Sequence, residues 1–202
     1  MTPFELWTLC QSCAESVYGR TAPTPEYADR AARLLFGTWA VEDPKLARRQ
    51  YGFGSYPPNK RGGFGLWQCE LATLMWMMDV LRQRSDILHH LYKWLGPGHL
   101  LEPQNAGKIL IQLQTPAGDR LACALARVRY FKAPGAIPAT VEEQAEYWFR
   151  WYNGGWDCNQ GAGLELAKTY GVDTARGIVL RKYVSAWNAR CAPVVAPVKP
   201  AA

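Results

Sequence analysis

The sequence has no long hydrophobic stretch, no long basic run and little histidine. No apolar segment approaches the ~18 residues that a membrane-spanning helix needs, so we expect no membrane span. The first residues, MTPFELWTLC, lack the basic segment of a secretory signal, and we expect no signal peptide. Runs of Lys and Arg never exceed two residues, which argues against a dedicated nucleic-acid-binding arm.

The three histidines and six cysteines form no recognisable set of metal ligands. His89 and His90 are adjacent, so on a helix they face different sides. Cys10 and Cys13 form a C-x-x-C pair, but no second pair follows at zinc-finger spacing. Two small helix residues are the simpler interpretation of this pair, and a zinc or redox site is the alternative. We therefore predict no metal and no cofactor.

The chain does contain enough apolar residues for one core, a surplus of positive charge and many tryptophans. Its 202 residues, 49% of them hydrophobic, suffice for one sizeable globular domain. The net charge of +6 suits a polyanionic partner such as nucleic acid, an anionic cell-wall polymer or a membrane surface, without choosing among them. Nine tryptophans are many for this length, and indole rings bind sugars, nucleobases and proteins alike.

The spacing of apolar residues predicts a mainly α-helical fold without internal repeats. The segment 45–64 is rich in Gly, Pro and Tyr, and we expect a loop there with room for a short β-hairpin. The proline-rich end of the chain should be extended or disordered. Helices are predicted over 3–18, 25–42, 66–84, 85–95, 103–114, 119–131, 141–152, 163–170 and 174–190, with Thr24, Asp119 and Asp173 as N-caps and Gly171 as a stop.

Glu42 is the first candidate for chemistry. It continues the stripe of Tyr27, Ala31, Leu35 and Thr38 along one face of the second predicted helix. Burial would raise the pKa of such a carboxyl, and a raised pKa suits a general acid that works near neutral pH. The simpler alternative is a glutamate near a helix end whose carboxylate reaches solvent.

Two further segments have the composition of binding loops. Gly62, Gly63 and Gly65 in GGFGLWQ permit close approach of a ligand to the backbone, although a plain turn before a helix has the same composition. No Lys-Ser/Thr pair follows, so this is not a phosphate loop. The segment WFRWYNGGWD, residues 148–157, places aromatic rings around an Asn-Gly-Gly turn, which suits sugar recognition or a capped core helix.

The order of these three segments resembles the lysozyme-like superfamily, and more narrowly the soluble lytic transglycosylases and goose-type lysozymes. In that family a catalytic Glu ends a helix, a G-L-x-Q segment lines the cleft, and an A-Y-N-A-G segment closes its other side. The corresponding residues here are Glu42, the segment GLWQ at 65–68, and WYNGG at 151–155. The resemblance covers roughly residues 30–157, most of the chain.

The resemblance implies a role for each matching residue. Glu42 would be the catalytic acid, while Asp43, Glu70 and Trp151 are secondary candidates. The substrate-binding residues would be Gly65, Leu66, Gln68, Tyr152 and Asn153. Trp67 and Cys69, which lie between them, are expected to face the core.

The closest likeness is to lysozyme-like virion proteins of tailed bacteriophages, through GLWQCELAT, DRLACALARVRYFKAPGAIP and EYWFRWYNGG. It implies a virion-associated enzyme, made in the host cytoplasm, that cleaves the MurNAc-GlcNAc bond of peptidoglycan and helps the genome enter the cell. Its partners would be the glycan strand and other virion proteins, with no specific nucleic acid. We expect a helix and connector at 1–24, a lysozyme-like domain at 25–190 and a proline-rich tail at 191–202.

Two departures from the family pattern keep an alternative open. Asp43 stands where the transglycosylases usually have Ser, and Trp151 replaces a small Ala. The alternative is a non-catalytic virion or tail protein built on the same fold. A nucleic-acid-binding module is a third and weaker option, based on charge and aromatic content.

Overall fold

The computed structural model describes residues 1–43, 45–46, 63–96, 101–152, 168–169 and 172–195, and these residues are mainly α-helical. A π-helical segment, Trp187–Cys191, directly follows the last helix. The prediction of a mainly α fold is therefore confirmed. The eight α-helices of the described residues are α1 (Pro3–Ser16), α2 (Pro25–Glu42), α3 (Leu71–Gln83), α4 (Ser85–Leu95), α5 (Ala106–Leu113), α6 (Asp119–Tyr130), α7 (Val141–Trp151) and α8 (Val172–Ala186).

Local capping chemistry explains several helix boundaries. The Thr24 side chain accepts a hydrogen bond from the Tyr27 N–H, and Pro25 occupies the first turn, as the sequence predicts. A capping box between Thr140 and Glu143 starts α7. Gly96, with φ of +88°, ends α4 in a conformation that only glycine adopts easily.

The helix predicted from Leu66 begins only at Leu71, which corrects the sequence interpretation. Residues 65–68 form a tight turn instead, closed by an antiparallel bridge between Phe64 and Cys69. Gly65 and Gln68 have φ values of +74° and +50°, in the left-handed region that a right-handed helix excludes. The apolar run that follows the glycines is therefore a turn before it becomes a helix.

Two predicted caps are also wrong, and some predictions fall outside the described residues. Asp119 lies inside α6 because a 3₁₀ turn, Pro116–Gly118, runs directly into that helix and makes Gly118 its N-cap. Asp173 likewise lies within α8. The segments left undescribed include residues 47–62 of the predicted hairpin region, most of the helix expected at 163–170, Gly171, and the tail from 196 onward.

The core is built around α2, which is buried on nearly every side. The Phe36 ring stacks on Trp39 at 5.3 Å between centroids and meets Trp7 of α1 at 5.5 Å. The same core includes Cys10 of α1 at one end of the chain and Cys191 at the other. Packing therefore continues across both boundaries that the sequence suggested, near residues 24 and 190.

None of the helices in the described ranges combines the length and the hydrophobicity that a membrane crossing requires.

Gly37 allows α8 to pack closely against α2. A Cβ atom at this position would lie 2.3 Å from the hydroxyl oxygen of Tyr183, whose side chain is fully buried. Real Cβ contacts do not approach this distance, so the absence of a side chain is a packing requirement. The close approach brings α8 beside the end of α2, where Glu42 lies.

We predict that Gly37→Ala destabilises the protein by about 1–3 kcal/mol, because the added methyl overlaps a buried ring. Gly177→Ala in α8 is the matched control, since its Cβ would meet only the Arg181 side chain at 3.5 Å. In the control, the free energy of unfolding should stay unchanged or rise by up to about 1 kcal/mol, because alanine has a higher helix propensity than glycine. Urea unfolding measures both changes, and a stabilised Gly37→Ala variant would contradict the packing described.

Candidate functional site

The end of α2 and the end of α7 meet at the segment that contains the tight turn, residues 63–70. This segment is called the 63–70 turn below. Trp148 Nε1 in α7 donates a hydrogen bond of 3.1 Å to Glu42 Oε1. The Tyr152 hydroxyl, just after α7, donates to the Trp67 carbonyl oxygen at 2.5 Å. Trp67 Nε1 in turn donates to the Leu35 carbonyl oxygen of α2 at 2.8 Å. The three segments that carry the family resemblance are thus joined directly to one another.

The Glu42 carboxyl lies in an environment that favours its protonated form. The side chain is partly exposed, and loss of solvent around it raises its pKa above the ordinary value of 4.5. The Trp148 hydrogen bond opposes this rise, as do the charges of Arg129 and Lys182, whereas the charge of Glu70 adds to it. The dominant cause is burial, as expected for a carboxyl on an apolar helix stripe.

The apolar stripe that leads to Glu42 packs as the sequence predicts. Leu35 and Thr38 are fully buried, and the Thr38 hydroxyl lies 2.6 Å from the hydroxyl of Tyr130 in α6. Tyr130 also contacts the ring of Tyr152, with centroids 5.1 Å apart. The contact between the two hydroxyls supports α2 one helical turn before Glu42. Through Tyr130 it also connects α2 to Tyr152, the residue that holds the 63–70 turn.

Tyr152 faces the protein interior in this structure, and its predicted substrate-binding role stays a prediction. Its side chain is buried, and its hydroxyl is used by the Trp67 carbonyl. The Arg129 guanidinium lies 4.2 Å from the ring centroid and donates a hydrogen bond to the Tyr152 carbonyl. Tyr152 therefore positions the 63–70 turn, and Arg129 holds Tyr152 through its ring and its carbonyl.

Gln68 is the member of the turn that remains partly exposed. Its Nε2 donates to the Gly65 carbonyl at 2.9 Å, while its Oε1 is buried and has no hydrogen-bond partner among the described residues. A buried carbonyl oxygen without a donor is costly, so this amide is a candidate to accept from a ligand or to rotate when one binds. Gly63 is required here, because a Cβ at that position would lie 2.5 Å from Gln68 Cβ.

Two other predicted binding residues, Gly65 and Leu66, are buried within the protein. Leu66 has no exposed surface, and Gly65 lies against Leu113 and Ala122. Their role in the site is to shape the turn, so the prediction that they contact substrate is not supported by their position. Trp67 and Cys69 face the core, as expected.

The secondary candidates lie around Glu42 in different settings. Asp43 is buried at the C-cap of α2. Glu70 is exposed at the N-cap of α3, and its charge is close enough to raise the pKa of Glu42. Trp151 is partly exposed at the end of α7. Asn153, the remaining predicted ligand-binding residue, lies outside the described residues.

Sequence reasoning placed Trp148 within the aromatic segment 148–157 without giving it a role at Glu42, and it missed Arg129 altogether. Trp148 and Tyr152 are four residues apart near the end of α7, so helical spacing alone could have paired them on one face. No such signal exists for Arg129, because its contact with Tyr152 depends on how α6 packs against α7. Both residues act on Glu42 through an electrostatic effect that only the tertiary structure reveals.

The described residues contain no group of three or more His, Cys, Asp or Glu side chains arranged to hold a metal. Cys10 and Cys13 are buried thiols without a disulfide partner, and burial raises the pKa of both. Thiols of this kind are weak nucleophiles at neutral pH. The interpretation of this pair as core residues of a helix agrees with their burial.

Comparison with known proteins gives no match for this chain: no protein-family model, no curated protein and no solved structure is similar to it at a significant level. The lysozyme-like resemblance therefore stays a prediction, carried by the motifs.

We predict that Glu42→Gln makes the protein more stable than wild type at pH 7. The folded pKa of Glu42 lies above its unfolded value of about 4.5, so the folded state binds the extra proton. The wild-type free energy of unfolding should therefore fall, relative to the variant, as pH rises from about 4.5 through the raised pKa.

The test is urea unfolding of both proteins between pH 4 and pH 8. The stability difference should vanish near pH 4, where the carboxyl is protonated in both states, and reach its full size above the raised pKa. A variant that is less stable than wild type at pH 7 would show that Glu42 is held mainly by its cationic neighbours.

Proposed function

We propose that this protein cleaves the glycan strand of peptidoglycan, as a lytic transglycosylase or muramidase carried by a bacteriophage virion. The observation that carries the proposal is Glu42. Its carboxyl has a raised pKa, accepts a hydrogen bond from Trp148, and lies where three family-like segments meet. A partly exposed carboxyl in such a setting is suited to general acid catalysis.

A single carboxyl suffices for the transglycosylase type of reaction. Glu42 would protonate the glycosidic oxygen between N-acetylmuramic acid and N-acetylglucosamine while the substrate's own N-acetyl group assists at the anomeric carbon. The resulting carboxylate would then remove the proton of the muramic C6 hydroxyl, which closes the anhydro ring. Glu42 is thus returned to its protonated form at the end of the cycle.

Glu70 supports a hydrolytic variant of the same proposal. It is exposed, and its negative charge favours the protonated form of Glu42. Two carboxyls that flank the scissile bond, one acting as the acid and the other as the base, are the usual arrangement in glycosidases. In this variant Glu70 would activate water after Glu42 has protonated the leaving group.

The second candidate function is a structural virion or tail protein without catalysis. It is favoured by the turn itself, because Leu66 and Tyr152 are buried and the Gln68 amide nitrogen is bonded within the turn. In this conformation the three residues stabilise the turn through contacts within the protein, without a ligand. The two functions differ in whether Glu42 is needed for glycan cleavage.

We predict that the purified protein releases muropeptides from cell walls and that Glu42→Gln lowers the rate by at least about 100-fold, the usual contribution of a general acid. The readouts are a zymogram and mass spectrometry of the products, which separates anhydro from reducing ends. Glu15→Gln, an exposed carboxyl on α1, is the matched control and should keep full activity.

Equal activity of wild type and Glu42→Gln would show that Glu42 is not the catalytic acid. No activity in either protein, with both folded, would favour the structural virion role.

A further inference from the structure

We propose that a basic, tryptophan-lined groove beside Glu42 binds the carboxylate-bearing sugar of an acidic glycan. The inference rests on the proposed function for the identity of the glycan, and it adds a preference for acidic over neutral strands. The groove has a volume of about 430 Å³. Its lining residues come from α3, from α7 and from the end of α6: Ala72, Thr73, Trp76, Arg129, Lys132, Arg150 and Trp151.

Three of these lining residues are cations, and none of the described ones is acidic. Lys132 and Arg150 are exposed, whereas Arg129 is half-buried and fixed by its contacts with the ring and the carbonyl of Tyr152. Among the described residues, the ion pairs do not involve these three cations. A concentration of positive charge in a concave surface attracts an anion and gives it hydrogen-bond donors.

The two tryptophans give the groove a surface for a ring. Trp76 of α3 and Trp151 of α7 are both partly exposed, and the Lys132 ammonium lies 4.6 Å from the Trp76 ring centroid. Indole faces pack against the apolar face of a pyranose, as they do against other flat or amphipathic rings. The tryptophan rings and the cations together fit a ligand that carries both a sugar ring and a carboxylate.

Two of the lining residues link the groove to the proposed acid. Arg129 lines the groove, and its charge also acts on Glu42. Trp151 follows Trp148, the hydrogen-bond donor to Glu42, by three residues on the same helix. We infer that a sugar bound at these tryptophans lies near Glu42, with its carboxylate available to the cations. N-acetylmuramic acid carries such a carboxylate wherever its lactyl group bears no peptide stem, whereas N-acetylglucosamine carries none.

Single-stranded nucleic acid is another polyanion whose rings stack on indoles. The dimensions of the groove favour the glycan over it. A volume of about 430 Å³ suits one or two rings, as in a small-ligand pocket. Nucleic-acid channels instead track the backbone over about four or more nucleotides with a continuous basic surface. The sequence has no basic run longer than two residues that would extend such a surface.

The experiment measures binding rather than cleavage, in the Glu42→Gln background. The probes are a GlcNAc-MurNAc tetrasaccharide with free carboxylates and the same tetrasaccharide with its carboxyls converted to methylamides. Titration is followed by tryptophan fluorescence and calorimetry, and mass spectrometry verifies that the strand stays intact. We expect about tenfold tighter binding of the acidic probe, with the preference shrinking at high salt.

The double substitution Lys132→Gln with Arg150→Gln should abolish that preference, while binding of the methylamide probe changes less than about twofold. Lys93→Gln with Lys108→Gln is the matched control, because it removes the same charge from exposed positions on α4 and α5 and should keep the preference. Both double variants alter exposed side chains, so circular dichroism should show unchanged folding.

Equal affinity for the two probes, no binding of either, or a stronger response to a thymidine oligonucleotide would each overturn the inference. The result is separable from the proposed reaction. An acidic preference that depends on Lys132 and Arg150 would stand even if Glu42→Gln retained cleavage. Conversely, cleavage that depends on Glu42 without a preference for the acidic probe would refute the proposed binding of the carboxylate in the groove. The proposed reaction would still stand.

Discussion

The site depends on one hydrogen bond between two helices, from the indole of Trp148 to the carboxyl of Glu42. A carboxyl at the end of a buried helix must find a donor or accept a proton, because an ionised group without a partner is costly where water is scarce. A single indole donor satisfies one oxygen without supplying a full positive charge. The carboxyl is therefore held in place while burial still raises its pKa. The contact fixes the position of the carboxyl, whereas its raised proton affinity comes from burial, which the Trp148 hydrogen bond partly opposes.

The 63–70 turn is held beside this contact by groups that are themselves buried. Tyr152 bonds the Trp67 carbonyl, and the Trp67 indole bonds the backbone of α2, so the turn is fixed at both faces. Arg129 completes the arrangement by holding Tyr152 and by placing its charge near Glu42. A site supported in this way needs little reorganisation when a ligand binds. Gln68, with its unsatisfied buried oxygen, is the part of the turn that a ligand would change most.

Sequence patterns predicted the helices and the place of Glu42 well, since both depend on local spacing and on caps such as Thr24. They failed at Leu66–Glu70, where an apolar run looks helical but left-handed dihedral angles at Gly65 and Gln68 impose a turn. They also placed Leu66 and Tyr152 toward a ligand, because motif position does not reveal which way a side chain faces. Trp148 reaches Glu42 across 106 residues, and a contact of that range is decided by helix packing rather than by local sequence.

Burial raises the pKa of the Glu42 carboxyl above its ordinary value, while the Trp148 hydrogen bond holds the carboxyl in place. The most direct measurement is an NMR titration of the glutamate side-chain carboxyl carbons, with the Glu42 signal assigned from its loss in Glu42→Gln. We predict that this carboxyl titrates above 4.5, the ordinary value for glutamate. A titration at or below 4.5 would show an ionised carboxylate stabilised by its cationic neighbours, and would contradict the general-acid role.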